Sequence, residues 1–293
     1  MKPSSAAAVG VAALAALAAG GCRATGGTAG DRAAAAPAPA PRGPPPDRAT
    51  FFGPSRCAAA HLALCEDFES GALDPKIWTV SGTPPVVDTE QAARGTHALH
   101  IRTIGKGAST ISESKTFPAP DDTYYGRAFV YFKSLPAPSP TFRYSHWTIV
   151  AASGNGVTGE VRLGGQLQNG VNRFGVGTDS RDDPEGSGDW TNPDRDPGPE
   201  GAPPSVPTGR WLCLEWMHDG AHHQTRVWWD GIEHPSLATT PATPHQGRAR
   251  VPFKLPSFTD LWLGWFEYQP TDQPFELWLD EIAVDGARIG CAT

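Results

Sequence analysis

Residues 64–78 read LCEDFESGALDPKIW, and the fold is decided on this stretch. Phe68 is one large apolar residue set among Glu66, Asp67 and Glu69, with Ser70 and Gly71 directly after. Such a pattern predicts a short lead-in strand that sinks one aromatic into a core, leaves carboxylates at its rim and turns at Gly71. Residues 275–285, FELWLDEIAVD, repeat the theme near the other end, with acidic residues interrupting an apolar run. Carboxylates from two strands distant in sequence suit a hard cation such as Ca²⁺, which takes about six to eight oxygens. Glu69 and Asp280 are the expected ligands, with backbone carbonyls near Gly95, Thr96 and His97. The plainer alternative is solvated carboxylates beside core aromatics.

Upstream, Lys2 precedes an Ala/Val/Leu run over residues 6–19 and then Gly20-Gly21-Cys22. The run is too short to span a bilayer and has the form of an export signal, residues 1–22. Its ending resembles a bacterial lipoprotein signal with Cys22 as the lipidated residue, although Ala19 stands where a leucine is usual. The expectation is an exported protein, lipid-anchored at a bacterial envelope or freely secreted. Residues 23–50 are rich in Ala, Pro and Gly, including APAPAPRGPPP at 36–46, and predict an extended, disordered tether. Residues 51–293 are expected to form one domain.

The chain carries 24 basic and 31 acidic side chains, a formal net charge of −7, with no basic block. That excludes nucleic acid as a partner class. Ten tryptophans suit both sandwich cores and sugar-stacking surfaces. A monomer is expected, touching membrane only through an N-terminal lipid. Apart from Cys22 the cysteines are Cys57, Cys65, Cys213 and Cys291, an even number in an exported domain. Three pairings are possible. Short separation favours Cys57–Cys65, leaving Cys213–Cys291.

Short alternating or apolar runs at 97–104, 125–133, 146–152, 159–167, 173–177, 211–218, 224–229, 259–268 and 276–284 predict strands. Gly, Pro, Asn and Asp punctuate them, as in the corner Trp229-Asp230-Gly231, and no helical period persists. The fold class is therefore all-β, a jelly-roll sandwich of two antiparallel sheets. Residues 179–209 form a long Asp/Pro/Gly loop containing Trp190, expected either as a flap over a cleft or as a solvated insertion.

Strand alternation places candidate chemistry on one face. In 142–152, Tyr144, His146 and Thr148 share a face opposite Trp147, Ile149 and Ala151. In 159–169, Glu160, Arg162, Gln166 and Gln168 oppose Val161 and Leu163, provided Gly164-Gly165 adds no bulge. In 261–269, Trp265 and Glu267 separate from Gly264 and Tyr268. The His222-His223 pair is expected to be solvated.

The motifs CEDFESG at 65–71, GRWLCLEW at 209–216, RVWWDG at 226–231 and LWLDEIAVDGARIGC at 277–291 resemble a family of secreted β-jelly-roll proteins. It comprises the cellulose-induced proteins and glucuronan lyases of the concanavalin A-like lectin/glucanase superfamily. The resemblance covers the whole domain and implies a structural Ca²⁺ between the first and last strands, consistent with Glu69 and Asp280. It also implies a concave-sheet cleft in which lyase members cut polyuronates by β-elimination.

Elimination needs a group to neutralise the uronate carboxylate, a base for the C5 proton and an acid for the departing oxygen. Arg162 and Gln166 are expected in the first role, His146 in the second, and Tyr144 or Tyr268 in the third. Arg143, Gln168, Trp190, Trp265 and Glu267 are the expected sugar contacts. The alginate-lyase signatures R-[ST]-E-L-R and Q-I-H are absent as such, VRLGGQLQ being a loose echo. A laminarinase-type glycosidase is rejected, because Trp278 stands at the middle carboxylate position and the retaining pair, about 5–5.5 Å apart, is not supplied. Two functions remain, a polysaccharide lyase or a non-catalytic carbohydrate-binding surface protein, with a lipid-anchored structural domain that has no ligand as a third, plainer option.

Overall fold

A computed structural model describes residues 45–104, 107–156, 158–168, 170–180, 188–190, 205–241, 254–269 and 273–293. The expected export signal, Cys22 and most of the expected tether lie outside these residues.

The described chain is two packed antiparallel sheets. The strands are β1 Leu64–Glu66, β2 Thr79–Gly82, β3 Val86–Asp88, β4 Ala98–Ile104, β5 Gly107–Glu113, β6 Thr123–Ser134, β7 Ser145–Asn155, β8 Thr158–Gln168, β9 Val171–Ser180, β10 Gly188–Trp190, β11 Trp211–Asp219, β12 Gln224–Trp229, β13 Ile232–Glu233, β14 Ser257–Glu267 and β15 Pro274–Asp285. One eight-stranded sheet runs β13-β12-β11-β6-β15-β4-β3, with β1 also on β15. The seven-stranded sheet runs β10-β9-β8-β7-β14-β5-β2. Every expected strand is present within a few residues at its ends. The short strands β2, β3, β10 and β13 and the seven-residue β5 were not anticipated. β5 reads GASTISE, too small and polar to announce itself, yet it is paired on both edges, by β14 and β2.

The two inner faces share a core of Val, Leu, Ile and aromatic side chains, including Phe68, Trp147, Phe174, Trp216 and Trp265. Phe68 is fully buried, as expected, but it sits beyond β1 with φ 57°, so the backbone turns at the aromatic itself. Its neighbouring carboxylates hold that turn. Glu66 accepts from the Phe68 N–H at 2.9 Å and the Trp78 indole at 2.8 Å, and Asp67 accepts from Ser55 Oγ. Gly71 (φ 76°) then reverses the chain, and the Asp230-Gly231 corner takes two positive φ angles, 48° and 79°, the hairpin geometry expected there.

A smaller cluster, Phe51, Ala93, Phe129, Cys213 and Cys291, covers the outer face of the eight-stranded sheet. Asp47 caps a 3-10 turn over Arg48–Phe51, and Arg48 pairs with Asp230. The last few residues of the stretch read as tether thus pack on the domain, because Phe51 needs burial. Disulfides join Cys57 to Cys65 and Cys213 to Cys291, the favoured pairing.

In β15 the register against β6 shifts between Asp280 and Ala283, and Glu281 has φ 48°. This bulge puts two successive carboxylates into one buried network instead of on opposite faces. Glu281 receives Arg94 at 2.8 Å and Arg127 at 2.9 Å, and all of these side chains are buried. Desolvation lowers both guanidinium pKa values, that of Arg127 to about 10.

Candidate functional site

The site is built on the outer face of the seven-stranded sheet, and two local features of sequence set its shape. The first is Gly164-Gly165 in β8. A Cβ on Gly164 would meet the Trp147 carbonyl, and one on Gly165 would meet the Trp147 indole. The pair therefore lets β7 approach closely, and alternation along β8 continues unbroken past it. Glu160, Arg162, Gly164 and Gln166 accordingly share the outer face, as expected, while Val161, Leu163 and Leu167 are buried. The second feature is a bulge in β7 between Thr148 and Val150. It reverses the facing of the strand, so Val150 joins the core and Ala151 pairs with Arg162 and Trp262 on the outer side. Ala151 was expected on the core face, and one extra residue accounts for the difference.

Cross-strand register then forms rows. In the first, Arg173 on β9 pairs with Gln166 on β8, Gln166 with His146 on β7, and the His146 carbonyl accepts from the Tyr268 N–H at 3.2 Å. The second row is Gly175, Gly164 and Thr148. The third is Gly177, Arg162, Ala151 and Trp262. Two rows bearing polar and aromatic side chains thus flank a middle row of two glycines and Thr148, which forms a shallow trough between them.

Within the trough, the His146 ring lies on Tyr268 with 4.2 Å between centroids and 8° between planes. The Arg162 guanidinium stands 5.0 Å from the centre of the same phenol. Tyr144 is 6.0 Å from His146 and 42% exposed. Arg162 pairs with Glu160, whose other oxygen accepts from the Trp262 indole at 3.3 Å. Gln166 is buried, and its Oε1 has no hydrogen-bond partner among the described residues. Burial, with the Arg162 charge nearby, pulls the His146 pKa down to about 4. Burial, with Glu267 nearby, pushes the Tyr144 phenol up. His146 is thus a neutral imidazole at ordinary pH and Tyr144 a neutral phenol.

Five of the predicted residues, Tyr144, His146, Arg162, Gln166 and Tyr268, are therefore brought together. Trp265 and Glu267 are not. Leu261, Leu263, Trp265 and Glu267 form the inward face of β14, and Trp265 stacks on Trp147 (4.8 Å) and packs against Phe275 (4.2 Å). Glu267 is buried beneath the trough, accepting from Ser145 Oγ at 2.8 Å on both oxygens, and burial pushes it up to about 6. Arg143 lines a cavity of about 520 Å³ with Pro138, Ser139, Pro140 and Gly170, at the end of the sheet where β7 begins. Gln168 closes β8, and Trp190 pairs with Gly177 through β10; their side chains, and most of the 179–209 loop, lie outside the described residues. Of the neighbouring histidines, His222 is an exposed partner of Asp219 and His223 accepts from the Leu255 N–H.

Sequence reasoning missed Gln269. Its Oε1 accepts from the His146 N–H at 2.6 Å and its Nε2 lies 2.8 Å from His146 Nδ1. It follows the end of β14, where alternation no longer says which way a side chain points.

The expected cation ligands reach one loop from two sides. Glu69 accepts from the N–H groups of Thr96 (2.7 Å) and His97 (2.8 Å), and Asp280 from those of Ala93 (2.8 Å) and Arg94 (2.9 Å). The groups turned toward these carboxylates are amides, not the carbonyls expected near Gly95-Thr96-His97. Asp280 is fully buried, and burial pushes it up to about 8. Both Asp280 oxygens already accept from N–H groups, those of Ala93, Arg94 and Glu281, so a hard cation here would have to displace these donors.

The family model "Polysacc_lyase-like: Cip1-like, core domain" matches residues 67–287. Among solved structures, "Cellulose induced protein, Cip1" is 21% identical with a TM-score of 0.58, covering 78% of this chain and 99% of that one. An alginate lyase, vAL-1 from Chlorella virus, is 10% identical with a TM-score of 0.47, covering 77% of this chain and 99% of that one. The receptor-binding domain of botulinum neurotoxin type G is 11% identical with a TM-score of 0.46, covering 79% of this chain and 49% of that one. No curated protein matches. The likeness to Cip1 is a likeness of fold, and the family match spans most of the jelly roll that carries the trough. This chain belongs to the polysaccharide-lyase-like family with a Cip1-like core domain.

Proposed function

We propose that the trough binds an acidic polysaccharide and that the protein is a polysaccharide lyase cleaving a polyuronate by β-elimination. The observation that carries this reading is the row Arg173–Gln166–His146–Tyr268 beside Arg162 above a glycine floor. Arg162 and the Gln166 amide suit the uronate carboxylate, whose charge must be balanced before the adjacent C5–H becomes acidic. The unpartnered Gln166 Oε1 suits a sugar hydroxyl. The His146–Tyr268 stack supplies the group that handles the proton. Arg143, Gln168 and Trp190 are the proposed contacts for flanking sugar units.

One observation favours a second reading, non-catalytic carbohydrate binding: Arg162 is already paired with Glu160, so its charge is partly spent. Incubation with glucuronan, alginate and neutral glucans, followed by the ultraviolet absorbance of the unsaturated product, separates the two. Product that disappears in Arg162→Ala and Tyr268→Phe supports the lyase. Saturable binding without product supports the second reading, and neither outcome with any acidic or neutral polymer ends both.

The same reading makes the protein an exported, monomeric surface lipoprotein held by Cys22, with Ca²⁺ between Glu69 and Asp280 as a structural ion. Two disulfides support an oxidising compartment. Mass spectrometry of the mature amino terminus tests the anchor: an unmodified residue other than Cys22 there rejects it.

A further inference from the structure

The proton inventory of His146 can be worked out from its neighbours without reference to any substrate. A backbone N–H can only donate. Since the His146 N–H points at the Gln269 side chain at 2.6 Å, the atom that receives it must be the amide oxygen. This fixes the orientation of an amide whose two ends otherwise look alike. The other end of Gln269, 2.8 Å from His146 Nδ1, is then the NH₂ group, which can only donate. Nδ1 must therefore offer a lone pair. A neutral imidazole that accepts at Nδ1 carries its hydrogen on Nε2.

We infer that Gln269 is a positioning residue that locks His146 as the Nε2–H tautomer, so that His146 donates a hydrogen bond into the trough and does not serve as the base. His146 Nε2 has no partner among the described residues, so its hydrogen is available to an oxygen of the ligand. Burial first, and the Arg162 charge second, keep the His146 ring neutral, so the tautomer is the state that matters.

The tautomer stands independently of the lyase reading; its consequence for catalysis rests on it. In the elimination, the C5–H and C4–O bonds break, a C4=C5 double bond forms, and the proton ends on the departing oxygen. Neither nitrogen of His146 can accept that proton, because Nε2 holds a hydrogen and the Nδ1 lone pair is engaged by Gln269. The carrier must be a phenol oxygen. Tyr144 is held protonated by burial, which leaves Tyr268, stacked on the imidazole. The step requires the Tyr268 oxygen to take the C5 proton and pass it to the leaving oxygen, which returns Tyr268 to the state in which it began. His146 meanwhile donates to the substrate carboxylate, whose charge rises as the C5–H bond breaks.

The test is the imidazole nitrogen spectrum of ¹⁵N-histidine-labelled protein, with the His146 signals identified by their loss in His146→Gln. At neutral pH the expected result is an unprotonated Nδ1 and a protonated Nε2. Gln269→Glu keeps an acceptor for the backbone N–H but puts a second acceptor at Nδ1, so the two signals should exchange character. The same variant should lower lyase turnover on the order of 10²-fold or more, as a wrong tautomer does. A wild-type spectrum with hydrogen on Nδ1 overturns the inference, whether or not any polymer is cleaved. A folded Gln269→Glu variant with an unchanged pattern does so too. If that variant fails to fold, the wild-type spectrum decides alone. Absence of product with a protonated Nε2 rejects the lyase reading and leaves the tautomer intact.

Discussion

Trp147 and Gly165 face each other across β7 and β8 so closely that the indole occupies the place of a Gly165 side chain. The same indole is stacked on Trp265, so it has little room to retreat. Gly165→Ala is expected to overpack this layer and cost about 1–3 kcal/mol. Denaturant unfolding measures it. A change within about 0.5 kcal/mol, the range of an ordinary surface substitution, would mean that the aromatic stack yields freely.

Tyr268→Phe keeps the ring that His146 and Arg162 contact and removes only the hydroxyl, which is 3.3 Å from Thr148 Oγ1. Turnover of a polyuronate should fall by about 10²–10⁴-fold, the span of general acid–base contributions, with binding changed little. Initial rates of product absorbance give the first quantity and calorimetry the second. Full activity in the phenylalanine variant removes Tyr268 as the proton carrier.

Glu267 has a folded pKa raised to about 6 from an ordinary 4.5 by burial beneath the trough. Its folded form binds more protons than its unfolded form between those values. Its contribution to stability is therefore fully present below pH 4.5 and lost as pH rises through 6. A shift of this size corresponds to about 2 kcal/mol. His146, with a folded pKa of about 4, works oppositely, losing stability as pH falls from 6.5. The comparison must therefore be wild type against Glu267→Gln across that window. The variant is expected to gain on the wild type with rising pH, and parallel curves would contradict the raised value.

Calcium should raise the melting temperature, because Glu69 and Asp280 grip the same loop from opposite ends of the chain. The effect should be larger at pH 8 than at pH 6, since a cation requires an Asp280 carboxylate that burial otherwise keeps protonated up to about 8. Glu69→Gln and Asp280→Asn should each abolish it. Identical melts with calcium and with a chelator at both pH values argue against the ion.

The two disulfides should differ in their effect. Cys213–Cys291 spans 78 residues and Cys57–Cys65 only 8. In the chain-entropy account the long closure contributes about 4 kcal/mol and the short one less. Paired Cys→Ala variants measured by reversible denaturation should follow that order. The reverse order would place the stabilisation in local packing instead.

How far the molecule was legible in its residues follows from periodicity. β6, β8, β11 and β15 alternate or run apolar for many residues, so their presence and facing could be read. Glu160, Arg162 and Gln166 fell on one face because Gly164 and Gly165 preserve alternation by both being small. β5 and the shorter strands exist through tertiary pairing and carry no local signal. The bulges in β7 and β15 were invisible, because each adds one residue whose sequence, Thr148-Ile149 or Asp280-Glu281, is ordinary for a strand. Trp265 and Glu267 were placed on the wrong side since β14 is apolar on both faces, and only packing against Trp147 decides which face is inner. Gln269 lies past a strand end, where no rule of spacing reaches it.

The packing of Phe51 and Arg48 has a practical corollary. They dock on the outer surface of the eight-stranded sheet, whereas the glycine-floored groove lies on the outer surface of the other one. Residues 48–51 therefore lie on the side of the sandwich away from the groove. Immobilising the protein on a bead or sensor through a side chain beside Arg48 would leave the groove pointing at the solution, while coupling through the β8–β9 hairpin would mask it.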